Sequence, residues 1–228
     1  MLAAILFDLD GTITNTDPIH FRAWQEHLRE HGLEIDEAFY KTRISGKTNP
    51  VIIAEILPYL SAAAGQQLAD AKEAQFRESA TREITALDGL TQVLDWAQQQ
   101  RLPLAVVTNA PPENAYFMLE TLKLEAHFQT VVISDEIGVG KPDPAPYNIA
   151  LERLGVAAEA AIAFEDSPSG IRSAVAAGIP TVGIASTHNP QVLYDLGAML
   201  VISDFTDEQL WALLHSPGKV DEPKLLVN

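Results

Sequence analysis

From residue 86 onward, hydrophobic and polar positions alternate between short apolar runs and longer stretches in which apolar residues recur every three or four positions. Short runs rich in β-branched residues are typical of strands, and the longer spacing is typical of amphipathic helices. The pattern predicts strands at 104–108, 130–133, 160–164, 181–184 and 199–202, and helices at 90–100, 113–122, 145–154, 169–177, 191–196 and 207–214. Alternating strands and helices favour an α/β fold, so we expect a doubly wound, Rossmann-like parallel sheet.

Another apolar run, residues 3–7, lies near the start of the chain and lacks polar alternation. Such a run predicts a strand with both faces covered, as in the middle of a parallel sheet. It is followed by Asp8, Asp10 and Gly11. The two aspartates stand two positions apart, so on an extended chain their side chains point the same way, and Gly11 permits a sharp turn. Because ligands bind at the carboxyl ends of such strands, we expect both aspartates to face a ligand site.

Between this strand and residue 86, the apolar spacing is helical and no strand pattern occurs. A first helix is predicted to run to His31, with Asp17 as its N-cap and Pro18 in its first turn. Further helices are predicted at 36–42, 51–57 and 61–82. The segment therefore has the pattern of a helical insert with no sheet of its own.

The predicted domain organisation follows from this change of pattern. Residues 1–14 and 86–228 are expected to form one α/β core domain, and residues 15–85 an α-helical cap domain inserted after its first strand. The tail from Ser216 contains two prolines and several charges, and we expect it to be loosely held.

Composition narrows the range of partners. The chain has 31 acidic and 15 basic residues, and its formal charge of −16 disfavours binding to nucleic acid or anionic membranes. It contains no cysteine, so disulfides, thiolate metal sites and cysteine nucleophiles are excluded. The apolar run before Asp8 has no basic segment ahead of it, which argues against a signal peptide. We expect a monomeric, cytoplasmic protein.

Polar residues in the second part of the chain stand where a phosphate site would need them. Thr108 and Asn109 follow a predicted strand and can both donate hydrogen bonds to phosphate oxygens, although such a pair alone is typical of a turn or a helix cap. Lys141 lies in the loop Gly-Lys-Pro-Asp-Pro, directly before a predicted helix. A lysine in such a loop could bind an anion or simply be solvated, and this loop alone does not distinguish the two.

Adjacent carboxylates, Glu165 and Asp166, follow another predicted strand. Together with Asp8 and Asp10 they would place several negative charges in one cleft, where like charges cannot all ionise without a compensating cation. None of the six histidines has a partner at the spacing of a metal-ligand pair. Mg²⁺ prefers oxygen ligands, so the sequence predicts a magnesium site formed by Asp8, Asp10, Glu165 and Asp166.

In order and spacing, these groups resemble the four motifs of the haloacid dehalogenase superfamily: D-x-D-G-T, a strand ending in threonine, G-K-P, and an E-D pair after a strand. The second aspartate is typical of its phosphatases. The stretch 12–24 further resembles the branch of β-phosphoglucomutases and small sugar phosphatases with a helical cap. The resemblance implies a Mg²⁺-dependent phosphatase that hydrolyses small phosphorylated metabolites, such as sugar phosphates, through an aspartyl phosphate.

The resemblance also implies residue roles. Asp8 would be the nucleophile and Asp10 the general acid and base, while Thr108, Asn109 and Lys141 would bind the phosphoryl oxygens. Magnesium would be held by Asp8, by the main-chain carbonyl of Asp10 and by Asp166, with Glu165 acting through water.

Cap residues are implied to bind the rest of the substrate, and we name His20, Lys47 and Asn49 as candidates. The resembling mutases carry a basic residue just before the glycine of this cap loop and an arginine three positions after it. Here those positions are Ser45 and Asn49. A phosphatase is therefore favoured, and a β-phosphoglucomutase-type phosphosugar mutase is the alternative.

Overall fold

The computed structural model describes residues 1–215, and the tail predicted from Ser216 lies outside the described residues. Six parallel strands form one sheet: β1 Ala4–Phe7, β2 Leu104–Thr108, β3 Thr130–Ile133, β4 Ala161–Glu165, β5 Thr181–Ile184 and β6 Leu200–Ile202. Their order across the sheet is β3-β2-β1-β4-β5-β6. The order reverses at β1, which confirms the predicted doubly wound sheet.

The sheet is covered on both faces, as the unbroken apolar run of β1 predicts. Ile5 and Phe7 point into one hydrophobic cluster, and Ala4 and Leu6 point into another on the opposite face. All four residues are fully buried. Alternate residues of a strand face opposite sides, so β1 is the shared centre of the two layers.

Eleven helices surround or extend from this sheet within residues 1–215. The first four are α1 Asp17–Glu30, α2 Glu37–Arg43, α3 Asn49–Ile56 and α4 Ala62–Glu83. The others are α5 Leu90–Gln100, α6 Pro112–Thr121, α7 Ser134–Ile137, α8 Ala145–Leu154, α9 Pro168–Ala176, α10 Pro190–Asp195 and α11 Glu208–His215. None of these described helices is both long enough and apolar enough to cross a membrane.

The structure corrects several boundaries. Helix α7 was not predicted, because four residues are too few to show a helical repeat. Strand β4 extends to Glu165, which pairs with Gly183, and β6 begins one residue later than expected. At α1, Thr16 and not Asp17 is the N-cap; the Asp17 carboxylate instead accepts a hydrogen bond from the Tyr40 hydroxyl at 2.8 Å. The hydrogen bond from Tyr40, which is distant in sequence, takes the place of the capping contact predicted for Asp17.

Helices α1 to α4 pack around a separate hydrophobic cluster that includes Trp24, Leu28 and Ile52. The two segments that connect them to the sheet run side by side: Thr14 forms an isolated bridge with Ala86, and the Leu87 amide donates to the Ile13 carbonyl at 2.9 Å. The assignment of residues 15–85 to a cap domain stays a prediction.

Candidate active site

The central strands end at the same edge of the sheet and bring together residues that are far apart in sequence. Phe7 at the end of β1 is in register with Val106 of β2 and with Phe164 of β4. Asp8 directly follows β1, Thr108 ends β2, and Glu165 and Asp166 come at the end of β4. The side chains predicted from the three strand ends therefore meet at one edge, where the strand order reverses.

Asp8, Glu165 and Asp166 form a buried carboxylate cluster in which one oxygen of each residue lies within 4.8 Å of one oxygen of each of the others. The pKa of Asp8 is raised to about 8, chiefly by burial; Lys141 opposes this rise, and the charges of Glu165 and Asp10 contribute to it. Burial, with the charges of Asp8 and Glu165, also raises the pKa of Asp166 well above its usual range. The cluster holds more negative charge than it can stabilise without a cation.

Lys141 is the protein cation in this cluster. Its Nζ lies 2.6 Å from Asp8 Oδ1 and also donates to Glu165, and the residue is 7% exposed. Burial alone would lower the pKa of Lys141, but the two carboxylates raise it above its ordinary value. One lysine against three carboxylates leaves an excess of negative charge.

The donor set fits a hard divalent cation, because all of its side-chain ligands are carboxylate oxygens, as Mg²⁺ prefers. Thr187 donates its hydroxyl to Asp166 Oδ2 and fixes that carboxylate in place. The loop after β1 passes so close that a Cβ at Gly11 would lie 2.2 Å from the same oxygen, and Gly11 has a φ of +84°. Only glycine allows this approach without strain.

Glu165 is completely buried and faces Lys141. The Tyr147 hydroxyl donates to its Oε1 at 2.8 Å, and Ser167 donates to Oε2. A Cβ at Gly170 would lie 1.9 Å from the Glu165 carboxyl group, so the start of α9 also confines it. Through these contacts Glu165 positions the Lys141 ammonium. The sequence predicted only a metal-binding role for Glu165.

The side chains of the other two predicted phosphate ligands, Thr108 and Asn109, differ in how many of their hydrogen-bonding groups already have a partner. Thr108 lines the cleft and accepts a hydrogen bond from the Ala110 amide at 2.9 Å, so its hydroxyl proton is available. Asn109 accepts from Ser134 and from the Lys141 amide and donates to the Lys141 carbonyl. Its amide is committed to holding the loop that carries the lysine.

Asp10 lies on the open side of the cluster, with 28% of its side chain exposed. Thr16 donates its hydroxyl to Asp10 Oδ1 at 2.6 Å, and His20 Nε2 lies 3.4 Å from the same oxygen. The His20 ring stacks on Phe76 of α4, with the ring centroids 4.0 Å apart. Both aspartates after β1 line the cleft, and Asp10 is the more exposed of the two.

The predicted cap residues lie on the wall of the same cleft. Asn49 donates to Glu73 Oε1 at 2.7 Å, and Lys47 Nζ is 2.7 Å from Glu55. The carbonyl of Gly46 accepts a hydrogen bond from Ser169 of α9 at 3.1 Å, so this cap loop contacts the core. The structure thus brings His20, Lys47 and Asn49 to one cleft with the carboxylate cluster, although Lys47 already has a carboxylate partner.

Two residues of this wall, Lys72 and Glu73 on α4, were not predicted from the sequence. Lys72 Nζ lies 2.8 Å from His20 Nδ1 and 2.7 Å from Glu73 Oε1, and both residues are buried. The signal that could have found them is their place on the helix, because they stand at helical spacing between the buried positions Leu68 and Phe76. A charged pair on the apolar face of an amphipathic helix indicates a site or a buried ion pair.

The cleft has a volume of about 560 Å³, within the usual range for small-molecule sites. It lies between the strand ends and helices α1, α3 and α4. Its wall carries eight aspartate and glutamate side chains and four lysine and arginine side chains. Such a cleft could bind a small molecule whose anionic group reaches Lys141 and the carboxylate cluster that could hold a cation at the strand ends.

Comparison with known proteins identifies a common family. A family model described as haloacid dehalogenase-like hydrolase matches residues 5–184. Validoxylamine A 7'-phosphate phosphatase of Streptomyces hygroscopicus subsp. limoneus is 30% identical over 91% of this chain and 96% of its own length. Phosphorylated carbohydrates phosphatase of Thermotoga maritima is 32% identical over 88% of this chain and 94% of its own. The crystal structure of a family IA, variant 3 HAD hydrolase from Entamoeba histolytica has a TM-score of 0.83 and 29% identity, covering 92% of this chain and 97% of that chain.

Proposed function

Since the chain belongs to the haloacid dehalogenase-like hydrolases and is a phosphomonoester hydrolase of that family, we propose that it is a Mg²⁺-dependent phosphatase of sugar phosphates that works through an aspartyl phosphate. The observation that carries the proposal is the buried cluster in which Asp8 lies 2.6 Å from the Lys141 ammonium and beside Asp166. The relative named phosphorylated carbohydrates phosphatase supports the substrate class.

In this proposal Asp8 attacks the phosphorus atom of the ester, and the bond to the leaving oxygen breaks. Asp10 protonates that oxygen, so the alcohol departs and an acyl phosphate remains on Asp8. Asp10 then takes a proton from the water that attacks the acyl phosphate, which releases inorganic phosphate and restores both carboxyl groups. The exposure of Asp10 toward the cleft, and the burial of Asp8, suit these two roles.

The phosphoryl oxygens are bound by Lys141 and by the Thr108 hydroxyl, and Asn109 holds the lysine loop in position. Mg²⁺ would be held by Asp8, by the main-chain carbonyl of Asp10 and by Asp166, with Glu165 reserved for the lysine or for a water ligand. When bound, the cation neutralises charge on the phosphoryl group, so that a carboxylate can approach it. Residues 15–85 act as the cap that covers the leaving group and excludes bulk water.

The test is hydrolysis of a panel of phosphorylated metabolites and one aryl phosphate, with Mg²⁺ and with excess chelator. We expect turnover only with Mg²⁺ or a similar hard cation, and none in the Asp8→Asn variant. Asp95→Asn, the same change at an exposed site on α5, is the matched control and should keep full activity. Full activity in chelator, or in Asp8→Asn, would contradict the proposal.

A phosphosugar mutase is the second candidate function. A mutase must hold a bisphosphate intermediate while the phosphoryl group is returned, which favours an arginine that grips the second phosphate in a bidentate manner. Asn49 stands at that position and donates to Glu73. We therefore expect phosphate release from a hexose monophosphate without stimulation by a hexose bisphosphate. Primed isomerisation that is faster than phosphate release would favour the mutase.

A further inference from the structure

The Glu73 carboxylate lies on the cap side of the cleft, where three helices converge. Its Oε1 accepts hydrogen bonds from Asn49 of α3 and from Lys72 of α4, both at 2.7 Å. Its Oε2 accepts from Asn114 of α6, a helix of the core. Glu73 is 6% exposed and still contributes to the cleft wall. A buried carboxylate at such a junction is held in one geometry by both parts of the protein.

Glu73 is also connected to the catalytic end of the cleft. His20 Nε2 lies 3.4 Å from Asp10, His20 Nδ1 lies 2.8 Å from Lys72 Nζ, and Lys72 donates to Glu73. A leaving group whose oxygen is protonated by Asp10 must extend from that point into the cleft. Its far end therefore comes to the wall formed by Glu73, Asn49 and Asn114.

The chemistry of this wall distinguishes hydroxyl groups from anions. A carboxylate only accepts hydrogen bonds, and three donors occupy three of its roughly four acceptor positions. A substrate hydroxyl can donate to the remaining position, whereas a second phosphate or a carboxylate can only accept. The charge of Lys72 and the hydrogen bonds from Lys72 and Asn49 outweigh the effect of burial and lower the pKa of Glu73 to about 2, so it is ionised at neutral pH.

The cations that line the cleft already have partners. Lys47 pairs with Glu55, Lys72 with Glu73, and Lys141 with Asp8. Arg77 donates one N–H to the Asn114 side chain at 2.7 Å. Apart from the strand-end residues of the proposed phosphate and metal site, five carboxylates and three cations line the cleft, so a second anion on a substrate would enter a negatively charged wall.

We propose that Glu73 is a specificity-determining residue that accepts hydrogen bonds from leaving-group hydroxyls and selects monophosphates of uncharged polyols against esters that carry a second anionic group. The proposal rests on the proposed phosphatase function and narrows its substrate class. It favours phosphorylated sugars, alditols and cyclitols over phosphoglycolate, phosphorylated sugar acids and bisphosphates.

The experiment compares two esters of the same carbon chain, sorbitol 6-phosphate and 6-phosphogluconate, with an aryl phosphate as a minimal substrate. The wild-type protein should prefer the sorbitol ester by at least about tenfold in kcat/KM. Glu73→Gln should lower kcat/KM for the sorbitol ester by roughly 10- to 100-fold, the worth of a hydrogen bond to a charged group, and narrow its preference over 6-phosphogluconate. Glu78→Gln, the same change at an exposed position of α4, is the control and should leave the ratio unchanged.

Several outcomes would overturn the inference. Equal wild-type kcat/KM for the two six-carbon esters would do so without any variant, as would a Glu73→Gln variant that slows all three substrates equally. Preference for 6-phosphogluconate that is lost in Arg77→Gln would show that Arg77 binds a second anion instead. Absence of turnover on every ester, the aryl phosphate included, would overturn the phosphatase proposal itself. If the aryl phosphate is hydrolysed but Glu73→Gln does not change the ratio of kcat/KM between the two six-carbon esters, only this inference is overturned.

Discussion

Replacing Lys72 with methionine should destabilise the protein, because the change leaves the Glu73 carboxylate buried without its cation. Lys72 is 2% exposed, its Nζ lies 2.7 Å from Glu73 Oε1, and it stands 5.3 Å from the centroid of the Trp24 ring. Methionine keeps the length and most of the apolar contacts of the lysine stem. The variant therefore removes the charge and the hydrogen bonds with little change in packing.

The size of the effect follows from the pKa of Glu73. Its environment lowers that pKa from 4.5 to about 2, and Lys72 is the largest cause that acts in this direction. A shift of this size corresponds to about 3 kcal/mol at neutral pH, which agrees with the roughly 3–5 kcal/mol that removal of one partner from a buried pair costs. Burial lowers the pKa of Lys72 itself, because the charged lysine is unfavourable in the protein interior. Removing the lysine removes that unfavourable contribution, which offsets a part of the destabilisation. We expect the free energy of unfolding to fall by about 3 kcal/mol.

The assay is urea unfolding at neutral pH, followed by circular dichroism and by tryptophan fluorescence, to which the buried Trp24 contributes. Lys41→Met, at an exposed position of α2, is the control and should change the free energy of unfolding by less than about 0.5 kcal/mol. The double variant Lys72→Met, Glu73→Gln should regain about 2 kcal/mol, because it removes the unpaired charge. An unchanged midpoint in Lys72→Met, or a double variant no more stable than Lys72→Met, would show that Lys72 does not stabilise the buried Glu73 carboxylate.

Three further predictions concern buried groups. Tyr147→Phe removes a donor to the buried Glu165 carboxylate and should cost about 1.5–3 kcal/mol in urea unfolding, whereas Tyr116→Phe, at an exposed tyrosine, should cost almost nothing. Gly170→Ala should destabilise by several kcal/mol and depress activity, since its Cβ would lie 1.9 Å from the same carboxyl group; a stable, active variant would contradict the geometry. Because the pKa of Glu73 is lower in the folded state, its stabilisation is present above pH 4.5 and is lost as pH falls toward about 2. The wild type should lose about 3 kcal/mol more over that range than Glu73→Gln, and parallel pH profiles would count against this assignment.

The arrangement of the sheet was accessible from sequence because its signals are local. The apolar run of β1 has no polar alternation, so it predicts a strand covered on both faces, and such a strand places Asp8 at the ligand edge. The same reasoning applies at the ends of β2 and β4. Helix α7 was missed because four residues cannot show a period, and Asp17 was misassigned because a distant tyrosine, Tyr40, binds its carboxylate in place of the local cap.

Most of the contacts that define the site could not be predicted, because they join residues that are far apart in the chain. The contact of Tyr147 with Glu165 depends on how α8 packs against the sheet, and no local pattern encodes it. Lys72 and Glu73 lie in an alanine- and glutamine-rich helix whose composition is typical of a solvated surface. The residues at the strand ends, which carry the proposed chemistry, could be named from the sequence, whereas the cleft wall formed by α3, α4 and α6 depends on tertiary packing.

In the proposed mechanism, Asp8 carries the phosphoryl group during turnover. The most direct measurement is acid quenching of the protein during steady-state hydrolysis of an aryl phosphate with Mg²⁺, followed by mass spectrometry of the peptides. We expect one added phosphoryl group on the peptide that contains Asp8, located on that residue, and no such species in Asp8→Asn. A phosphoryl group on a different residue, or full turnover by Asp8→Asn, would contradict this mechanism.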